Sequence, residues 1–412
     1  MPGRAARGVP PRRLLADRRV RRVLLALVAS GAADGFLPVA LSFAVLRVTG
    51  SAGRLGIVLA CQGTVGLLLT LAGGLAGDRF SRGRVVTVSL VVRMMAATVL
   101  AATLISGSAS FDLLLALAAV YGSADGLFGP VSSALLPEVV PHEQLAPANA
   151  VVGGSASSVR IAAPAIAGTI VAVLGPGSAF VLQAVVLAVA AGCLATARLC
   201  PASTTRAAEP GLLRQLKAGW AEFARLRWLR LLTAQWAAFS LVVLAPLAVL
   251  GPAIALRNLG GAPAWGLINS CLALGAVGGQ VVGGRIRPPA RPALIIACLV
   301  PVMTGEALAL GLGAPLAIVA PATAVSGLAI GSQAVLLPTA VQTSVTPGAL
   351  ARVTAIDLLG SEGGQPIGYA LAGPIGTTVG AHTLLAAGAI GMVIASSGFA
   401  FLRPLRTEIR RT

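Results

Sequence analysis

Apolar positions in this chain come in long runs of 20 residues or more, broken by short polar stretches, rather than at the alternating or one-face spacing of a soluble strand or helix. Twelve such runs can be drawn, at 23–47, 55–77, 85–107, 112–136, 147–173, 177–197, 229–252, 264–284, 292–313, 315–338, 353–377 and 381–402. The pattern predicts an all-α membrane protein, with twelve transmembrane helices in two pseudo-symmetric six-helix bundles. The bundles are 23–197 and 229–402, flanked by a basic N-terminus (1–22) and a basic tail (403–412). Between them, 198–228 is the longest connection. From Leu212 to Leu232 it is amphipathic: Leu213, Leu216, Trp220 and Phe223 recur at three and four residues, opposite Arg214, Lys217, Glu222 and Arg225. This predicts a helix lying in the membrane interface.

Composition agrees: the 412 residues are 56% hydrophobic and 11% charged, with mean hydropathy +0.89, far from a soluble or disordered chain. A net charge of +18 raises the question of nucleic acid, but the placement of the basic residues answers it. Arg47, Arg54 and Arg257 fall on one side of the membrane, Arg93 and Arg160 fall within spans, and the remaining basic residues lie on the side of the termini. That asymmetry predicts both termini in the cytoplasm. Arg12, Arg13, Arg18, Arg19, Arg21 and Arg22, with Arg403, Arg406, Arg410 and Arg411, read as topology determinants and anionic-lipid contacts. The start Arg21-Arg22 followed by Val23 to Ser30 imitates a signal peptide, but apolar sequence resumes at Phe36 and runs to Leu46, so a retained span is expected. The dominance of Arg and Ala suggests a GC-rich genome and a bacterial cytoplasmic membrane.

Few residues invite covalent or metal chemistry. Cys61, Cys193, Cys200, Cys271 and Cys298 have no CxxC spacing, so neither a metal site nor a disulfide is expected. His142 and His382 lie at loops on opposite sides, which argues against an intramembrane enzyme. Gly275, Gly278, Gly279, Gly283 and Gly284 have neither a preceding strand nor a following Lys, so they mark close helix packing rather than a phosphate loop. No cofactor is expected. Pro130, Pro164, Pro246 and Pro366 read as kinks.

The halves echo each other. Ala134-Leu135-Leu136-Pro137 ends the fourth span and Val335-Leu336-Leu337-Pro338 the tenth, while Gly31-Ala32-Ala33-Asp34-Gly35 in span one recurs as Gly122-Ser123-Ala124-Asp125-Gly126 in span four. Between spans two and three stands Gly74-Leu75-Ala76-Gly77-Asp78-Arg79-Phe80-Ser81-Arg82-Gly83-Arg84, which resembles the loop signature of the major facilitator superfamily, with Ser81 where Gly is usual. Leu135-Leu136-Pro137-Glu138-Val139-Val140-Pro141, Gln144-Leu145, Ala148-Asn149-Ala150, Ala163-Pro164-Ala165-Ile166-Ala167-Gly168 and Arg352-Val353-Thr354-Ala355 resemble the third drug:proton antiporter family, which includes macrolide efflux and enterobactin-exporter-like proteins. Two departures stand out: span four lacks the Arg of many such antiporters, and the loop between spans eight and nine keeps Gly283, Gly284, Arg285 and Arg287 but no Asp. The resemblance implies a gate latch in which Asp78, with Gly74, Arg79, Arg82 and Arg84, faces the start of span eleven. It also implies a central cavity lined mainly by spans one, four, seven and ten.

Seven ionisable residues lie inside spans: Asp34, Arg93, Asp125, Arg160, Glu306, Asp357 and Glu362. Each costs about 2.5 to 3.5 kcal/mol unless paired, protonated or wet. Asp34 is about 16 Å into its span at the helical rise, and Asp125 and Arg160 lie at similar depth, so these three are expected to share a polar patch. Either Asp34 or Asp125 then exchanges a proton while Arg160 holds the other; alternatively Asp34 and Arg160 form a fixed pair and Asp125 stays protonated. Arg93 is expected to snorkel toward the membrane surface. Asp357 and Glu362 are placed near the Asp78 loop, for gating with Arg82 or Arg352. Glu306, in a scaffold span, is either protonated and hydrogen-bonded or reaches the cavity for a cationic ligand.

The function expected is secondary active transport: proton-coupled export of an amphipathic organic compound, an antibiotic, other drug or siderophore, by alternating access. The acidic excess within spans favours cationic or zwitterionic substrates. Uptake of a small metabolite by proton symport is the alternative, and a non-transporting receptor or scaffold the reading from another class. A small-molecule substrate, protons and anionic lipids are the expected partners, with no nucleic acid, and the chain is expected to be a monomer.

Overall fold

The computed structural model describes residues 17–79, 81–132, 135–140, 145–197, 220–285, 291–345 and 347–399, without the side chains of 71–79, 137–138, 145–147, 149–154, 347–348, 351 and 399. The described residues form helices and no strand. Twelve are membrane elements: α1 (Arg18–Thr49), α2 (Ala52–Arg79), α3 (Arg82–Ser106), α4 (Phe111–Ser132), α5 (Leu145–Leu174), α6 (Pro176–Thr196), α7 (Arg227–Asn258), α8 (Ala262–Arg285), α9 (Pro292–Gly311), α10 (Leu316–Ser344), α11 (Pro347–Glu362 and Gln365–Val379) and α12 (Ala381–Phe399). Eleven are long and apolar enough to cross a membrane as single helices. The exception is α11, which is interrupted after Glu362 at Gly363-Gly364, so neither piece reaches the length of a span. A second irregularity lies beside it: α7 passes through a π-helical turn at Ser240–Leu244.

The two faces of the bundle are built differently. At the face opposite the termini, α1–α2, α3–α4, α5–α6, α7–α8, α9–α10 and α11–α12 are joined by short turns. Each holds a glycine with positive φ: Gly50, Gly107, Gly175, the pair Gly260-Gly261, Gly313 and Gly380. A left-handed residue reverses the chain while still capping the preceding helix, as where the Gly50 N–H donates to Leu46 O. The basic connections fall on the other face. The connecting segment is helical over 220–225, breaks at Leu226 and restarts as α7. Thus the continuous interfacial helix expected over Leu212–Leu232 is interrupted, and its part before 220 lies outside the described residues. Phe223 is buried against the second half with Trp228, Leu229, Ile296 and Ala340, whereas Trp220 is exposed.

Small residues set the helix packing, because in lipid there is no hydrophobic drive to join apolar helices and close backbone approach must supply the attraction. Within the first half α2 meets α4 at Gly66, Gly122 and Gly126; within the second, α8 meets α10 at Gly275, Gly279, Gly327 and Gly331. At each of these glycines an added Cβ would crowd a carbonyl of the facing helix. The halves meet along two related seams, α2 on α11 (Gly53 with Gly373, Gly56 with the Tyr369 carbonyl) and α5 on α8 (Gly168 with the Ala262 carbonyl, Gly266 with the Pro164 carbonyl). The residues of these two seams lie in the parts of their helices toward the face opposite the termini. There the halves are closed on one another.

Gly331→Leu should therefore destabilise the protein by on the order of 1–3 kcal/mol or more, seen as a lower melting temperature in detergent. Gly278→Ala, which meets no atom within 4 Å, should be neutral or stabilising by up to about 1 kcal/mol. Equal effects from the two substitutions would contradict this packing.

Candidate functional site

An arginine sits at the centre of the first half. Arg93, on α3, has a fully buried side chain. Its Nη2 forms an ion pair with Asp34 of α1 and donates to the Tyr121 hydroxyl of α4 at 2.9 Å. Its Nη1 donates to Ser30 Oγ at 3.3 Å and lies 3.5 Å from Asp125 Oδ1. The guanidinium also lies over the Tyr121 and Phe128 rings, 4.9 and 5.2 Å from their centroids. Tyr121, Asp125 and Phe128 stand at i, i+4 and i+7, which puts all three on one face of α4. From α6, Gln183 Nε2 donates to the Tyr121 hydroxyl at 3.1 Å and to the Ala33 carbonyl at 2.9 Å. Four helices thus converge on one cation, as the cost of burying it requires.

The two acids differ in their share of that cation. Asp34 takes the close contact and also accepts from the Tyr121 hydroxyl at 3.5 Å, whereas Asp125 touches only the edge. The Asp34 and Asp125 side chains are 45% and 51% exposed although they stand at mid-depth. Asp125 lines a cavity of about 660 Å³ between α2, α4 and α11, with Gln62 and Gly66 from α2, Gly126 and Pro130 from α4, and Glu362, Gln365, Pro366 and Tyr369 from α11. The break in α11 lies on its wall.

The second half supplies acids already bonded to α7. Thr233 Oγ1 donates to Asp357, and one turn on, Trp236 Nε1 donates to Glu362 Oε1 at 2.9 Å. The bundle itself is tied by Gln235, whose Nε2 donates to the Ala297 carbonyl and to Ser396 Oγ, both at 3.0 Å.

Several expectations need correction. Arg160 is not the partner of the mid-depth acids: it is exposed and pairs with no carboxylate among the described residues. On its helix, Ala156 and Ala163 lie against Gly31 and Gly35 of α1, while the cation that meets Asp34 and Asp125 comes from α3. Arg93 takes the role instead, pointing into the bundle rather than snorkelling. Glu306 is buried at 4% exposure where α9 is interrupted at Thr304, its backbone N–H donating to Ser326 Oγ of α10 at 3.2 Å; it is not in the cavity's wall. Asp357 and Glu362 bond to Thr233 and Trp236 rather than to Arg82 or Arg352, and the Arg352 Nε is buried without a partner among the described residues. The side chains of Gly74, Asp78 and Arg79 lie outside the described residues; Arg82 and Arg84 open α3.

Sequence reading passed over Tyr121, Gln183, Gln62, Thr233 and Trp236. One signal was available: the chain has two tyrosines in all, and one binds the buried arginine while the other lines the cavity.

The profile of the Major Facilitator Superfamily matches residues 23–369. No curated protein matches the chain. Among solved structures, the nucleoside transporter NupG superposes with a TM-score of 0.72 at 10% identity, over 94% of this chain and 100% of that one, and a point mutant of it does so at 12% identity. A bacterial homolog of the human lysosomal transporter Spinster, in an inward-facing and unoccupied conformation, gives 0.64 at 16% identity, over 95% and 98%. At such identities the likeness is one of fold.

Arg93→Leu should lower stability by about 1–3 kcal/mol, because it leaves Ser30 and Tyr121 buried without their donor. Combining it with Asp34→Asn should recover part of the loss, and Arg160→Leu should stay within about 0.5 kcal/mol of the parent. Thermal melting in detergent measures all three, and comparable damage from Arg160→Leu and Arg93→Leu would contradict the assignment.

The profile match over most of the chain, carried by two six-helix halves around a charged mid-membrane cluster, identifies the chain as a member of the Major Facilitator Superfamily, a transporter family.

Proposed function

We propose that the protein is a proton-coupled secondary transporter of the bacterial cytoplasmic membrane, exporting an amphipathic organic compound by alternating access between its two bundles. The observation that carries the reading is the unequal holding of two mid-depth acids. Arg93 fixes Asp34, while Asp125 keeps half its surface open to the cavity and only a 3.5 Å contact with the cation. A carboxylate so placed is open to a proton or to a cation that enters the cavity, and the two compete for it.

Direction follows from orientation. The asymmetry of the Arg residues supports cytoplasmic termini, and with that orientation the glycine seams close the outer side while the cavity faces inward. Export is supported by the motifs shared with drug:proton antiporters. A cytoplasm-facing cavity presents Asp125 to substrate, and on reorientation substrate leaves and an external proton takes its place. Asp78 and its loop, with Arg82 and Arg84, belong in this scheme to the inner gate, and Asp34 to the charge balance of the interior.

Accumulation of a panel of macrolides, cationic dyes and catechol siderophores in an efflux-deficient bacterium expressing the chain tests this. Lower accumulation that a proton uncoupler abolishes is expected, with Asp125→Asn losing the uncoupler-sensitive part. Uncoupler-sensitive export at the parental level in Asp125→Asn would overturn the assignment, and proton-driven uptake would replace export by symport.

A further inference from the structure

The cavity between α2, α4 and α11 has a polarity of its own. Among the described residues its lining includes two carboxylates, Asp125 from the first half and Glu362 from the second, and no Lys, Arg or His. Arg93, which meets Asp125, is fully buried and engaged by Asp34, Ser30 and Tyr121, so it is not offered to a ligand. Hydrogen-bond acceptors outnumber donors in the same wall. Gln62 Oε1 is buried there without a partner among the described residues, and the Thr70 hydroxyl donates to the Gly66 carbonyl at 2.9 Å. Glu362 is held by Trp236 through Oε1, which orients it while its second oxygen has no donor among the described residues.

The rest of the wall is apolar or bare backbone. Leu59, Leu67 and Leu358 supply apolar surface, and glycines of the α2–α4 seam leave a floor without side chains. A volume of about 660 Å³ fits a drug-sized molecule. Tyr369 on the same wall offers a ring to a cation.

We infer that this cavity takes an organic cation with an apolar body, its N–H donors shared between Asp125 of one half and Glu362 of the other. The inference rests on the transporter reading and adds the substrate class and the site. A cation held between carboxylates of both halves links their movement. Its positive charge also displaces the proton from Asp125, which joins loading to proton release.

Three dansyl fluorophores differing only in a butyl arm test it on the purified full chain in lipid nanodiscs: one arm ends in a primary ammonium, one in a trimethylammonium, one in a hydroxyl. The ammonium probe is expected to bind about tenfold or more tightly than the hydroxyl probe, with the trimethylammonium between them because it keeps charge but has no N–H. Asp125→Asn and Glu362→Gln should each bring the ammonium probe's affinity down toward that of the hydroxyl probe. Gln at 362 keeps an acceptor for Trp236. Leu67→Trp, which fills the cavity without altering either acid, should abolish binding of all three probes. Equal affinity for the three probes, an advantage that survives in both acid variants, or undiminished binding to Leu67→Trp would each overturn the inference. Flux in proteoliposomes separates this from the transporter reading. Selective binding without pH-driven flux supports the cation site and counts against transport. Proton-driven flux of all probes alike supports transport and overturns the cation site.

Discussion

A guanidinium that cannot leave the membrane interior constrains the first half of this protein more than any other single group. Desolvating Arg93 is costly, and the cost is offset only when α1, α4 and α6 all present their polar atoms at one depth. Ser30 and Asp34 come from α1, Tyr121 and Asp125 from α4, and Gln183 acts through Tyr121. That convergence sets the rotation of three helices about a fourth. It also leaves the two carboxylates unequally held. Asp34 is bound and Asp125 is left at the cavity's edge.

The acids of the second half meet the same constraint with neutral donors among the described residues. Asp357 and Glu362 rest on neutral donors, Thr233 and Trp236, and Gln235 supplies the amide that ties α7 to α9 and α12. Irregular backbone collects where these acids lie: the π-helical turn of α7 and the interruption of α11 pack together, with Gly368 of α11 close to Leu241 and Ala245 of α7. Broken helices inside a membrane are tolerated where their freed backbone groups line a cavity or are covered by protein. The glycine seams close the halves on one another toward the opposite end.

Much of this could be read from the chain. Uninterrupted apolar runs predicted the helices, the distribution of arginines set the two faces apart, and the paired Gly-Ala-Ala-Asp-Gly and Gly-Ser-Ala-Asp-Gly segments located Asp34 and Asp125. The partner of those acids could not be read. Depth follows from counting residues at a fixed rise, which placed Arg160 level with them, but direction around the helix axis depends on which neighbour packs where. Arg160 is exposed, and Arg93, placed too near the membrane surface by counting, reaches inward on a long side chain. Glu306 escaped for the same reason: its depth was plain and its burial away from the cavity was not. Trp236 and Thr233 carried no sign of their role, because a single donor in an apolar run looks like any other packing residue.

The division of labour between the two mid-depth acids is the claim on which the account turns. Dicyclohexylcarbodiimide modifies protonated carboxyls in apolar surroundings, and peptide mass spectrometry after labelling across a range of pH reads each acid separately in the intact protein. Labelling of Asp125 that grows as pH falls, with Asp34 protected until Arg93 is replaced, is the predicted result. Labelling of Asp34 in the parent protein with Asp125 unreactive would contradict the account.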